Sequence, residues 1–253
     1  MSDAAVQPMA DQAPGLSQIE RVTNVFTAPS KTFADIKRGN KSWWMPFIIA
    51  AAFGYILFAV VSSKIGMVQV VQNQIHLSPK QEEQMNQATP EQRATSMKIS
   101  LGITQGIFLG NPILLLIIIS VGSVGLWGTI NFLFGGKATY ASIFTVWMYA
   151  GLPGVLKVLL GVIVIYAGTA PESFNIKNYS PTNLGAFLNP LDTNAALYSL
   201  ASSIDIVTIW TLVLLGMGAA MVAGVKRTSG YIAVFGWWAI FVLIGVGWNA
   251  VMS

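Results

Sequence analysis

The chain has 253 residues, of which 54% are hydrophobic and only 9% charged, with a formal net charge of +4. Soluble domains carry about 25% charged residues, so an ordinary soluble fold is excluded, and so small a net charge supports no nucleic-acid partner. The absence of cysteine excludes disulfides, thiolate metal sites, cysteine nucleophiles and palmitoylation together.

Residues 1–15 are polar and small, which predicts a disordered tail. Met1 to Gln18 contains acids and no apolar core, so no signal peptide is expected. Leu16, Ile19, Val22 and Val25 or Phe26 then recur at helical spacing, until Pro29 breaks the run. Ser30 can cap a second short helix with Phe33 and Ile36 on one face, ending at Lys37-Arg38-Gly39. An apolar stripe with basic flanks predicts that residues 16–42 are cytoplasmic interfacial helices lying in the headgroup plane. Phe33, Lys37, Arg38, Trp43 and Trp44 would anchor them; a docking site for a cytosolic partner is the alternative reading.

Residues 43–253 read as one membrane domain, with spans at about 43–63, 113–134, 141–168, 204–225 and 230–251. Each meets the roughly 20 apolar residues that a hydrocarbon core of about 30 Å demands of a helix. The expected fold is therefore all-α, a polytopic five-transmembrane-helix bundle with an N-terminal interfacial amphipathic helix. Lys31, Lys37, Arg38 and Lys41 precede span one, Lys137 sits between spans two and three, and Lys226 and Arg227 between spans four and five. The positive-inside rule makes that side cytoplasmic, with the N-terminus inside and the C-terminus outside.

The longer segments, 64–100 and 169–203, fall on the other side. Ile65, Val68, Val71 and Ile75 mark an amphipathic helix, and Thr89-Pro90-Glu91-Gln92 a capped start of another. That second helix runs to Gly110-Asn111-Pro112, and either lengthens span two or lies on the membrane surface. Thr169 to Leu197 reads as an irregular cap. His76 has no partner at metal spacing and reads as a solvated residue.

Small residues let helices approach in lipid. Gly154, Gly161 and Gly168 form one candidate packing stripe, and Gly216, Ala220 and Gly224 another. Lys157 and Asp205 are charges inside apolar runs, each costing about 2.5–3.5 kcal/mol to insert. Both fall in the outer half of their spans, so an ion pair between them is expected; the alternative is a snorkelling lysine and a capping aspartate. Asn131 and Tyr149 are expected to hydrogen-bond inside the bundle, and Pro153 to kink span three and free a carbonyl near Tyr149.

No His-Glu-x-x-His pair, second membrane aspartate, serine elbow or phosphate loop is present, so no enzymatic chemistry, cofactor or metal is expected. No internal repeat points to a secondary transporter.

Three stretches resemble the Yip family (Ypt-interacting-protein domain). They are Pro29-Ser30-Lys31-Thr32-Phe33 ahead of Trp44 and Pro46, Phe134-Gly135-Gly136-Lys137 followed by Tyr149-Ala150-Gly151-Leu152-Pro153, and Asp205-Ile206-Val207-Thr208-Ile209-Trp210 running into Gly216 and Gly218, with Lys226 in the turn beyond. The resemblance implies a five-helix bundle with a cytosolic N-terminus. Eukaryotic members sit in ER and Golgi membranes, associate with Rab GTPases and one another, and act in vesicle traffic. This chain lacks their acidic Asp-Leu-Tyr-Gly-Pro segment and has a longer first outer loop, so it looks like the prokaryotic branch, in a bacterial cytoplasmic membrane, and Rab binding is not carried over. The expected function is a membrane scaffold or adaptor that binds other membrane proteins or itself, or organises lipid. The alternative is a small oligomeric transporter or channel using Lys157 and Asp205. A polar cavity between spans three and four would favour transport, and a dry, packed one the scaffold.

Overall fold

The computed structural model describes residues 15–252, so the expected disordered tail lies, but for Gly15, outside the described residues. Among these the only extended pairing is an isolated bridge between Asn183 and Asp205. The chain opens with α1 (Gln18–Thr27) and α2 (Pro29–Lys37), then crosses as α3 (Trp44–Lys64). Ser17 starts α1 through a reciprocal capping box with Glu20. The Ser17 amide holds the exposed Glu20 carboxyl below its ordinary pKa. Its support of α1 is therefore present at neutral pH and lost as pH falls through that lowered value.

Beyond α3 lie α4 (Met67–His76), α5 (Pro79–Gln87) and α6 (Pro90–Leu109), and then α7 (Asn111–Gly128), which ends in a π-turn over Thr129–Leu133. Only Gly110 separates α6 from α7. Phe108 stacks beside Phe58 at 5.2 Å, and the Tyr55 hydroxyl donates to the Leu109 carbonyl at 3.0 Å. The last turn of α6 thus continues span two down the side of α3.

Span three is broken into α8 (Tyr140–Ala150) and α9 (Gly154–Tyr166). Pro153 has no N–H to give, and the Tyr149 carbonyl instead takes the Leu152 amide at 3.1 Å. The cap contains three 3₁₀ turns and α10 (Ala195–Ser203), and leads to α11 (Ile206–Ala223) and α12 (Arg227–Met252). Five of these stretches are long and apolar enough to cross a membrane: Trp44–Lys64, Asn111–Leu133, Tyr140–Tyr166, Ile206–Ala223 and Arg227–Ala250.

Span three and α11 run antiparallel. The Lys137 amide donates to the Ala223 carbonyl at one end, and Lys157 meets Asp205 at the other. The end carrying Lys137, Lys226 and Arg227 is called the basic end below, and the other the cap end. The main core lies between α8 and α11, built from Ile143, Val146, Ala150, Leu214, Leu215 and Ala219. A second core joins α3 to α9 and α4 through Val61, Ile65, Ile165 and Val70.

The N-terminal helices are where the structure corrects the sequence reading. Their buried residues face the bundle and not open lipid. α2 docks against α8 and α11, burying Phe33 and Ile36 completely, and Val25 of α1 joins them. Phe33, expected to anchor in lipid, is a core residue. The cause is Gly218: a Cβ there would lie 2.5 Å from Val146 Cγ1 and 2.9 Å from Phe33 Cδ1, so only a bare backbone admits the ring. Lys37 and Arg38 remain exposed, Trp44 is 49% exposed, and Trp43 packs edge-on to Phe144 at 5.3 Å.

Gly218→Val is expected to expel Phe33 at a cost of about 1–3 kcal/mol. The chain has no native cysteine, so a single Ile36→Cys reporter measures this cleanly. Labelling should accelerate in the Gly218→Val background, and an unchanged rate would contradict the docking.

The glycine stripes divide. A Cβ at Gly161 would meet the Tyr179 ring at 2.4 Å, so it serves a close approach, but to the cap and not to a helix. Gly154 faces open space and packs nothing, and Gly168, at φ +112°, ends α9. On α11, Gly216 lies against Tyr231, and a Cβ at Gly230 of α12 would sit 2.2 Å from the Gly216 carbonyl and 2.8 Å from Ala220 Cβ. That close crossing is the tightest contact between spans four and five. Gly224, at φ +71°, is the left-handed cap of α11 and not a packing residue.

Candidate functional site

Two buried ionic centres stand out, one at each end of the bundle. At the cap end, Asp205 is the N-cap of α11, and its Oδ1 accepts the Thr208 amide at 2.7 Å. Its Oδ2 lies 3.2 Å from Lys157 Nζ and accepts a short hydrogen bond from the Thr182 hydroxyl. The loop backbone holds that hydroxyl in place: the Ile206 amide donates to the Thr182 carbonyl and the Leu184 amide to the Ile204 carbonyl. The structure therefore joins the two expected readings of Asp205, for the residue both pairs and caps. The Asp205 side chain is 2% exposed and that of Lys157 is 30% exposed. Eighteen residues of α11 separate Asp205 from the basic end, about 27 Å of helix. The pair thus sits one hydrocarbon thickness from the basic turns.

The other centre was not expected from sequence. Arg21 is fully buried and Asp35 is 1% exposed. Arg21 Nη1 donates to Asn40 Oδ1 and the Ser42 carbonyl, both at 3.0 Å, and Nη2 to the Asn40 carbonyl at 2.9 Å. Among the described residues its Nε makes no hydrogen bond, and it lies 3.6 Å from Asp35 Oδ2. Asp35 in turn accepts from Arg38 Nη2, Asn40 Nδ2 and the Leu16 amide. Burial draws the Arg21 guanidinium below its ordinary pKa, and Tyr149 and Asp35 oppose that.

Tyr149 ties this centre to the bundle. Its ring lies under the Arg21 guanidinium at 4.4 Å, and its hydroxyl donates to Gln18 Oε1 at 2.7 Å. The hydroxyl also reaches the Ser42 carbonyl at 3.2 Å, while Thr145 Oγ1 reaches the Lys41 carbonyl at 3.1 Å. Tyr149, expected to hydrogen-bond inside the bundle, does so with the N-terminal segment. Arg21 shares the buried face of α1 with Val25, at helical spacing. Arg21 lies off the stripe of Leu16, Ile19 and Val22, of which Ile19 is 69% exposed, so the hydrophobic period carried no signal for this centre.

Asn131 also works locally: its amide exchanges two 2.9 Å hydrogen bonds with the backbone of Ala138 and so closes the Lys137 turn. His76, expected to be solvated, is exposed but lies 2.8 Å from Glu82 Oε1. Among the described residues no group of three His, Cys, Asp or Glu side chains could hold a metal ion.

Five apolar helices wrapped around such a core define an integral membrane protein of the helical-bundle class. Residues 23–249 match the model of the Yip1 domain, and the chain belongs to the Yip family. Neither a curated protein nor a solved structure matches the chain.

Proposed function

We propose that this Yip-family protein is a membrane scaffold or adaptor without catalytic chemistry, binding other membrane proteins or a second copy of itself. The observation that carries this reading is the filled seam between spans three and four. Leu214, Leu215, Ala219 and Val222 of α11 face Ile143, Val146 and Ala150 of α8, and Phe33 closes the gap at Gly218. A polar route between α8 and α11 would meet these apolar contacts.

Outward faces remain for partners. Ile99, Ile103 and Ile107 stand exposed along α6, and Ile240, Phe241 and Ile244 along α12. The basic turns support a cytoplasmic N-terminus and a C-terminus outside. The long segment from α4 to α6 supports the prokaryotic branch and a bacterial cytoplasmic membrane.

Flux of protons, small cations and anions through the purified protein in liposomes tests the function. No flux above protein-free vesicles is expected, together with protein adducts in native membranes from a photo-crosslinker placed at Ile103 or Ile240. Flux that both Lys157→Met and Asp205→Asn abolish would replace the scaffold with a transporter.

A further inference from the structure

We infer that the cavity bounded by α3, the α6–α7 junction and the turn Ile176–Asn178 binds an anionic amphiphile, an acyl chain carrying a carboxylate or phosphate head. This stands independently of the scaffold reading. The cavity holds about 390 Å³, within the range of small-molecule sites. Leu57, Ile107, Phe108 and Ile176 make its walls apolar. Ile107 is 55% exposed, and the neighbouring Tyr55 and Ile56 of α3 are exposed as well, so the mouth opens on the lipid-facing surface.

The polar lining selects the head. Gln74 Nε2 is buried in this wall and has no hydrogen-bond partner among the described residues. Lys177, an exposed residue, lines the same cavity, and among the described residues it has no ion pair. Thr104 is already committed, donating to the Ser100 carbonyl at 2.8 Å. Asn111 reaches in only because position 54 is glycine, where a Cβ would lie 2.1 Å from its Nδ2. Among the described residues no carboxylate lines the cavity. A buried amide donor left unused, with an exposed cation on the same rim and apolar walls beside them, calls for an acceptor head on an aliphatic chain.

The test is native mass spectrometry of the full-length protein in neutral detergent, titrated separately with oleate, phosphatidylglycerol and phosphatidylcholine of matched chains. One oleate or one phosphatidylglycerol per chain should be retained about tenfold better than phosphatidylcholine. Lys177→Ala and Gln74→Leu should each lower that retention by about tenfold, the loss expected of one charge-assisted hydrogen bond. Ile107→Trp, at an exposed position that leaves the core intact, should close the mouth and do the same. Retention of oleate alone assigns a free carboxylate, and of phosphatidylglycerol alone a phosphate head. Equal retention of phosphatidylcholine, or anion retention that all three variants leave unchanged, overturns the assignment.

Discussion

Replacing Arg21 with alanine is expected to cost about 3–5 kcal/mol, because it leaves the Asp35 carboxylate buried beside an empty site. Asp35 would keep the Asn40 amide and Arg38, but Arg21 is what binds α1 to the chain entering α3. It also supplies the cation over the Tyr149 ring. The expected result is a large drop in melting temperature, together with fast labelling of an Ile36→Cys reporter as the α1–α2 hairpin leaves the bundle. A second variant separates the pair's net contribution from the penalty of breaking it. Arg21→Met with Asp35→Leu removes both charges, and should recover much of the loss, since apolar replacement of a whole buried pair is often neutral. A small effect of Arg21→Ala, with Ile36→Cys still protected, would mean that Phe33 and Ile36 hold the hairpin unaided.

The cap-end pair should respond asymmetrically. Lys157→Met strands a carboxylate whose side chain is 2% exposed, at a cost of about 3–5 kcal/mol, softened by the Thr182 and Thr208 hydrogen bonds. Asp205→Asn should cost less, because asparagine still caps α11 and the 30% exposed Lys157 can carry its ammonium outward. The double variant should recover part of the sum, with a coupling of about 0.5–3 kcal/mol. Thermal unfolding of the four proteins in one detergent measures this. Simple additivity would mean that the 3.2 Å contact contributes nothing to stability.

The spans were legible in sequence because lipid imposes a length and a composition that no soluble helix of this kind needs. Two helix starts were legible for local reasons too, with Thr89 capping α6 and Asp205 capping α11, whereas Gly224, read as a packing residue, is the left-handed turn that α11 ends on. Lys157 and Asp205 could be matched because two charges in apolar runs at similar depth have few other partners. Thr182 could not be foreseen, since it reaches Asp205 from an irregular loop 23 residues away in sequence.

The N-terminal helices show where local pattern stops. A helix with one apolar stripe buries it equally well in lipid or in protein, and its hydrophobic period is identical in both cases. What decides is the shape of the receiving surface, here the hollow at Gly218 between α8 and α11, which is formed by residues more than a hundred positions downstream. Tyr149 belongs to the same case: its chemistry as a hydrogen-bonding aromatic is written in the sequence, but its partners Gln18 and Arg21 are not. Composition, span length and charge order, which depend on each segment's own free energy in lipid or water, by themselves determined a membrane bundle with one basic end. Only the tertiary structure decided that the N-terminal hairpin is part of that bundle, because that choice rests on complementarity between segments far apart in the chain.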